Sequence, residues 1–393
     1  MDFRDTPSEA AFREEVRTWL GEHLVGPYAE IGSGRNLADE AHWEVRLAWE
    51  RLLGEAGWIG LAWPQAYGGR GATIAEEVIF NVEYARAGAP GRLSIFGEGL
   101  LGPTLLAYGT EEQKQRFLPG ILAATELWCQ GYSEPGAGSD LAAVATKGVL
   151  DGDEWVVTGQ KVWTTLAQVA DWCFVVTRTD PGVPAHQGIS YLLVPMRQPG
   201  VTVRPLKQIT GTAEFNEVFF DEARTPADMV VGPVNGGWKV AMATLGFERG
   251  TATLAMQQAF EAELWDIVDL ARKNGSLDDS LIRQRLADAY VGVKIMGYNS
   301  MRMLTALART GTLGPEASIG KLYWSQWHRD LGELAMDIYG PAGQILTGGG
   351  EYGLDDRQGS FLFARAETIY AGSSEIQKNI VGERVLGLPR EPR

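Results

Sequence analysis

The sequence predicts an α+β protein in three parts: a helical N-terminal domain over 1–126, a middle antiparallel β domain over 127–234, and a C-terminal four-helix bundle over 235–393. Three observations predict it. Apolar residues recur at helical spacing through the first third. The period shortens to that of strands near residue 127. Long helical patterns return after Asn235-Gly236-Gly237-Trp238. Helices do not alternate with the strands, which argues against a parallel βαβ sheet.

Taken in order, Thr6-Pro7-Ser8-Glu9 is a capping box, with Thr6 at the N-cap, Pro7 at the first helical position and Glu9 reaching back. Phe12, Val16, Trp19 and Leu20 then share one helical face. Further helices are predicted around 40–56, 74–87, 97–108 and 111–123. Tyr67-Gly68-Gly69-Arg70-Gly71 is a glycine-rich loop, for which phosphate binding is the alternative to a plain turn. Strands are predicted at 154–165, 172–179, 189–194, 201–206 and 217–221, separated by turns such as Asp151-Gly152-Asp153 and Pro199-Gly200. The bundle helices are predicted at 238–273, 279–310, 314–340 and 358–386, with the loop Gly348-Gly349-Gly350 before the last.

Composition bounds the function. The chain has 393 residues, 45% hydrophobic and 22% charged, which is an ordinary globular balance. No run of about 18 apolar residues occurs, so no membrane span is expected. The charged opening Met1-Asp2-Phe3-Arg4-Asp5 lacks the apolar core of a signal peptide. Two cysteines, Cys129 and Cys173, cannot make a disulfide framework, and the cytoplasm is the expected compartment. A net charge of −15 disfavours nucleic acid and anionic membranes, and an anionic ligand would need local basic residues. The four histidines lack metal-ligand spacing, so no metal is expected and they read as structural or surface residues. No Walker loop, H-E-x-x-H or G-x-S-x-G motif appears.

The stretch with most chemical content is Tyr132-Ser133-Glu134-Pro135-Gly136-Ala137-Gly138-Ser139-Asp140. Gly136 and Gly138 allow close approach of backbone to a ligand or a positive φ, and Pro135 stiffens the turn. N–H groups in such a loop, with the hydroxyls of Ser133 and Ser139, form a hydrogen-bonding shelf. Alone it reads as a polar surface turn. The strand that follows ends in Lys161-Val162-Trp163-Thr164-Thr165, and an indole and a hydroxyl facing a glycine-rich shelf suit a planar heteroaromatic cofactor.

These two segments, in this three-part layout, resemble the acyl-CoA dehydrogenase family of flavoproteins. Further matching pieces are Glu55-Ala56-Gly57-Trp58, Tyr108-Gly109-Thr110-Glu111-Glu112-Gln113-Lys114, Gly236-Gly237-Trp238, Ile338-Tyr339-Gly340 and Tyr370-Ala371-Gly372-Ser373-Ser374-Glu375-Ile376-Gln377. Their joint order covers nearly the whole chain. The resemblance implies FAD between the β domain and the bundle. It implies isoalloxazine contacts from Gln130, Tyr132 and Ser133, phosphate and CoA contacts from Gly138 and Ser139, packing by Trp163 and a hydrogen bond near N5 from Thr165. The implied reaction is α,β-dehydrogenation of an acyl-CoA thioester, in which a desolvated carboxylate takes the α proton and flavin N5 accepts the β hydride.

Many members of the family carry that glutamate in a Tyr-Glu-Gly segment, where this chain has Tyr370-Ala371-Gly372. By resemblance to members with the base on the first bundle helix, Leu245-Gly246-Phe247-Glu248-Arg249-Gly250 makes Glu248 the catalytic base and Arg249 a substrate contact. Alternatives are a non-catalytic FAD-binding or structural subunit of a heteromer, and a flavin monooxygenase or oxidase on the same fold. The half of the FAD site that a neighbouring subunit donates departs from the family pattern. Arg272 and Ser373 match, but Asp337 stands for a glutamine, Pro341 for a glycine and Glu375 for a glutamine. A carboxylate beside a diphosphate is unfavourable. The resemblance also implies an electron-transfer flavoprotein as acceptor and a homo-oligomer or a heteromer with a related subunit. The vacancy at Ala371 suggests a branched, bulky or polycyclic acyl group, and Trp128, Trp163 and Trp238 are candidates to line it or to fill the core.

Overall fold

The computed structural model describes residues 4–32, 40–247, 251–310, 314, 317–347 and 352–390. The helical first third comprises α1 (Pro7–His23), α2 (Pro27–Ile31), α3 (Trp43–Glu55), α4 (Ile74–Arg86), α5 (Gly102–Tyr108) and α6 (Glu111–Leu122). The Thr6 capping box is present, with the Glu9 N–H on the Thr6 hydroxyl and the Thr6 N–H on the Glu9 carboxylate. Phe12, Val16 and Leu20 are buried beside Trp49, Trp58 and Phe80, as one apolar helix face requires. The helix expected over 97–108 begins instead as one π-turn, Gly97–Leu101, before α5. The 67–71 loop is held by packing. Arg70 lies over the Trp58 ring at 4.6 Å and bonds Glu15, and a Cβ on Gly69 would meet the Trp63 carbonyl oxygen at 2.2 Å.

The middle part is a seven-stranded sheet ordered β1-β4-β2-β3-β7-β6, with β5 on β4. The strands are β1 (Trp128–Gly131), β2 (Lys147–Asp151), β3 (Glu154–Thr165), β4 (Trp172–Arg178), β5 (Ile189–Pro195), β6 (Val201–Leu206) and β7 (Phe215–Pro226). The long pairings β2–β3, β3–β7, β4–β5 and β6–β7 are antiparallel, as expected. The antiparallel expectation needs one correction: β1 joins β4 in parallel, in register Cys129 to Cys173, and β2 touches β4 in parallel at one residue. β1 and β2 escaped the sequence reading because four- and five-residue runs show too little period. Cys129 and Cys173 are buried and unbridged.

After the sheet come α7 (Gly237–Phe247), α8 (Thr251–Lys273), α9 (Ser280–Thr310), α10 (Ala317–Tyr339), α11 (Asp356–Glu367) and α12 (Ser374–Ile380). The helix expected over 358–386 is therefore two. α11 ends at Glu367, Ala371 and Gly372 take left-handed φ values of +52° and +85°, and Ser373 caps α12. A left-handed pair cannot sit inside an α-helix. α7 belongs to the sheet side. Val240 and Ala241 share one core with Leu101, Leu105, Phe117, Trp128, Tyr132, Phe174 and Tyr191, drawn from the N-terminal helices and the strands. Each such leucine or phenylalanine contributes about 1.5–3 kcal/mol by burial. The Gln113 side chain adds a polar link, donating to the Asp228 and Val230 carbonyls at 2.7 and 2.9 Å. The bundle has its own core of Phe260, Leu264, Ile267, Val293, Leu331, Leu334 and Ile338.

Candidate active site

The site is built where β3 meets the loop after β1. Along β3, Trp155, Val157 and Lys161 point into the protein on alternate residues. The register then slips between Lys161, opposite Val218, and Thr164, opposite Asn216. That bulge turns Trp163 outward with a φ of +60°, leaving its indole 59% exposed and edge-on to Phe215 at 6.0 Å. A left-handed tryptophan stores about 1–3 kcal/mol and persists only where surrounding structure imposes it.

The bulge begins at a buried lysine, two residues before Trp163. The three ammonium hydrogens of Lys161 have three acceptors: Glu134 Oε1 at 2.8 Å, the Tyr132 carbonyl at 3.0 Å and the Val176 carbonyl at 2.7 Å. Glu134 in turn accepts from the Ala145 and Thr146 N–H groups at 2.7 and 2.9 Å. Burial pushes the Glu134 carboxyl up, but the Lys161 charge and these hydrogen bonds outweigh it and hold it below the usual carboxylate range. Burial pulls the Lys161 ammonium below its ordinary value, with Glu134 opposing. The Val162 N–H donates to the Ser133 carbonyl at 2.9 Å, so strand and loop are also tied by backbone.

The loop itself is a tight hairpin, with Glu134 and Ala137 exchanging backbone bonds at 2.9 and 3.0 Å. Neither Gly136 nor Gly138 takes a positive φ, and a Cβ on either meets nothing within 4 Å. Both positions therefore face open space. The hydroxyls of Ser133 and Ser139 make no hydrogen bond to another described residue. Gln130 Nε2 and Thr164 Oγ1 are buried without a partner among the described residues. Buried polar atoms are normally paired, and Gln130 on β1 is the one of the two that is only partly buried. An outward indole, unpaired amide and hydroxyl groups and an open glycine shelf fit a flavin.

The Val162–Ser133 bond thus brings Ser133 beside Trp163 and Thr165, while Gln130 lies on β1 opposite Phe174 and Gly138 and Ser139 follow the Glu134–Ala137 hairpin. Tyr132 is present with a different use: its ring packs edge-on to Phe174 and Tyr191, and its hydroxyl donates to the Ala241 carbonyl of α7 at 3.4 Å. Trp128 is core, stacked on Trp172 at 5.6 Å, and Trp238 packs against the same cluster. Arg272 and Ser373 lie apart, at the end of α8 and the start of α12. No hydrogen bond between described residues joins them to the sheet group. Arg272 pairs with Asp269, and the Ser373 hydroxyl accepts from the Ile376 N–H at 3.4 Å. Glu248 and Arg249 lie outside the described residues, directly after Phe247.

The bundle residues that depart from the family pattern are otherwise engaged. Asp337 pairs with Arg285 at 2.6 Å. The Glu375 carboxyl is held below its usual range by its own backbone N–H and by the Ser373 hydroxyl. A carboxylate thus stands in the first turn of α12, beside Ser373. The Lys161–Glu134 bolt was missed in sequence, although a lysine on the buried parity of a strand is a signal for it.

Family models for acyl-CoA dehydrogenases match in three consecutive parts: the N-terminal domain at 6–125, the middle domain at 129–223 and the C-terminal domain at 235–386. The chain belongs to the acyl-CoA dehydrogenase family. Among curated relatives, acyl-CoA dehydrogenase IpdE1 of Mycobacterium tuberculosis is 54% identical over 383 residues, covering 97% of this chain and 98% of the relative. Among solved structures, the Tcur3481-Tcur3483 steroid ACAD matches with a TM-score of 0.87 and 33% identity over all of both chains. The ChsE4-ChsE5 complex of Mycobacterium tuberculosis matches with a TM-score of 0.82 and 30% identity, also over all of both chains. The α+β architecture read from sequence is that of this family, and the chain is an acyl-CoA dehydrogenase. No helix among the described residues is long and apolar enough to cross a membrane.

Proposed function

We propose that this acyl-CoA dehydrogenase desaturates the α,β bond of a bulky, branched or polycyclic acyl-CoA, with FAD against Trp163 and Thr165 and Glu248 as the base. The observation that carries the reading is the Tyr370-Ala371-Gly372 loop. The Gln377 amide donates to the Ala371 and Gly372 carbonyls at 3.1 and 3.4 Å, fixing a segment that offers no carboxylate. Glu248, next after Phe247 at the end of α7, is the carboxylate that the family frame offers in its place.

Bound FAD would accept the β hydrogen with two electrons. Gln130, Ser133 and Thr165 would hydrogen-bond its ring, and Gly138 and Ser139 would lie along its phosphates and the CoA. Glu248 would take the α proton and Arg249 would contact the thioester. The small Ala371 leaves room for a branched or fused-ring acyl group, and the name of the Tcur3481-Tcur3483 steroid ACAD supports a polycyclic one. The engaged Asp337 and Glu375 support a heteromer with a related subunit, as the paired names of both solved relatives also suggest. The electron acceptor is an electron-transfer flavoprotein, and the compartment is the cytoplasm.

Glu248→Gln should keep bound yellow FAD and lose bleaching by a steroid-side-chain CoA thioester. Flavin reduction at near wild-type rate in that variant would remove Glu248 as the base. A wild-type chain that is yellow only when co-expressed with a related subunit, and is never bleached, would favour the non-catalytic subunit reading. Turnover of straight-chain thioesters alone would remove the polycyclic substrate.

A further inference from the structure

Deep in the bundle, away from the sheet site, one imidazole is gripped by two carboxylates. His328 on α10 is 1% exposed. Its Nδ1 lies 2.5 Å from Glu367 Oε2, on the last residue of α11. Its Nε2 lies 3.0 Å from Glu263 Oε2 on α8. Ser360 of α11 donates to the other Glu263 oxygen at 2.5 Å. Phe260 covers the ring at 4.5 Å, and Lys321, two turns earlier on α10, donates to the Glu367 carbonyl at 2.5 Å. One charged ring therefore joins three helices, and the residue it grips on α11 is the last before the 368–373 loop.

We propose that His328, as an imidazolium, is a positioning residue for the 368–373 loop, holding Ala371 at the acyl-CoA site by anchoring Glu367. The inference rests on the acyl-CoA dehydrogenase reading, which puts that loop beside the substrate. Thr368 caps α11, and both Tyr370 and Ile369 bond back to Ala366, so the loop hangs directly from the anchored turn. With a carboxylate on each ring nitrogen, an imidazolium can donate to both, whereas a neutral imidazole donates from one nitrogen only. Burial pushes His328 down, but its bonds to Glu263 and Glu367 outweigh burial and leave it above the ordinary histidine value. Among the described residues, the charged groups acting on His328 are Glu263 of α8 and Glu367 of α11, and Lys321 of α10 holds the Glu367 carbonyl and also faces Glu375 of α12. Because the folded value is raised, the anchor is complete below the ordinary value of 6.5 and is lost as pH rises through the folded one.

Amide hydrogen exchange of the full-length holoenzyme tests this without relying on activity. Exchange at 368–373, corrected for intrinsic rate and referred to α1, should speed up about tenfold from pH 6 to pH 9, the loss of one charge-assisted bond. His328→Gln should be fast at both pH values and should raise KM for a steroid-side-chain CoA thioester while kcat changes little. Glu263→Gln, which leaves Glu367 in place, should show an intermediate effect. The wild-type pH series also stands if His328→Gln fails to fold. Loop exchange that ignores pH, or that titrates equally in His328→Gln, overturns the proposal. Loop exchange that follows His328 while KM does not change would instead remove the loop from the acyl-CoA site.

Discussion

The Lys161 ammonium and the Glu134 carboxylate meet at 2.8 Å, with Lys161 wholly buried and Glu134 8% exposed. Two residues beyond Lys161 stands the outward indole of Trp163, and one residue before Glu134 stands Ser133. The pair thus ties the strand end that carries Trp163 to the loop that carries Ser133, the two segments proposed to hold the flavin.

Removing one partner strands the other. Lys161→Met should cost about 3–5 kcal/mol in urea unfolding, the penalty for an uncompensated buried charge. Adding Glu134→Gln should restore part of that loss, because the amide oxygen still accepts from Ala145 or Thr146 while the charge is gone. A double variant no better than Lys161→Met would show that the bolt does not act through charge.

The same pair sets a pH dependence. The Glu134 folded value lies below its ordinary 4.5, so its contribution is complete above pH 4.5 and fades as pH falls through the folded value. Stability followed by denaturant titration from pH 6 to pH 3 should fall more steeply in the wild type than in Glu134→Gln.

Trp163 should separate binding from stability. It is largely exposed, so Trp163→Ala should shift stability by under about 1 kcal/mol while weakening FAD retention at least tenfold. Trp163→Gly should even gain stability, since glycine takes a φ of +60° without strain. Unchanged FAD affinity in both would take the flavin away from this face.

The Ala371 loop is clamped by Gln377, which is fully buried. Gln377→Leu leaves two carbonyls without their donor and should cost about 1–3 kcal/mol. Gly372→Ala should do worse, because its Cβ would meet Gln377 Nε2 at 2.5 Å in a left-handed backbone. Both variants should raise KM for the acyl-CoA more than they lower kcat in steady-state assays.

The fold was legible where local chemistry repeats. The Thr6 capping box, the Phe12–Val16–Leu20 stripe and the alternation of β3 all name their elements before any contact is known. The break after Glu367 was not legible, because Thr368-Ile369-Tyr370-Ala371 carries a helical apolar pattern up to Gly372. The candidate flavin residues were visible only as a family pattern. The buried clusters, Lys161 with Glu134 beneath the sheet site and His328 with Glu263 and Glu367 in the bundle, pair residues 27 to 65 positions apart and have no local signature.

α7 has a mechanical consequence. Thr244 bonds Thr104 of α5 at 2.8 Å and Tyr191 of β5 at 3.5 Å, and the Tyr132 hydroxyl reaches Ala241. A Cβ on Gly237 would strike the Ser190 backbone at 2.5 Å, so the helix starts flush on the sheet. α7, residues 237–247, is therefore fastened to the sheet frame. On the reading proposed above, the carboxylate that follows α7 and a flavin against β3 would share one frame, so that proton and hydride removal would stay aligned whatever the bundle packs against.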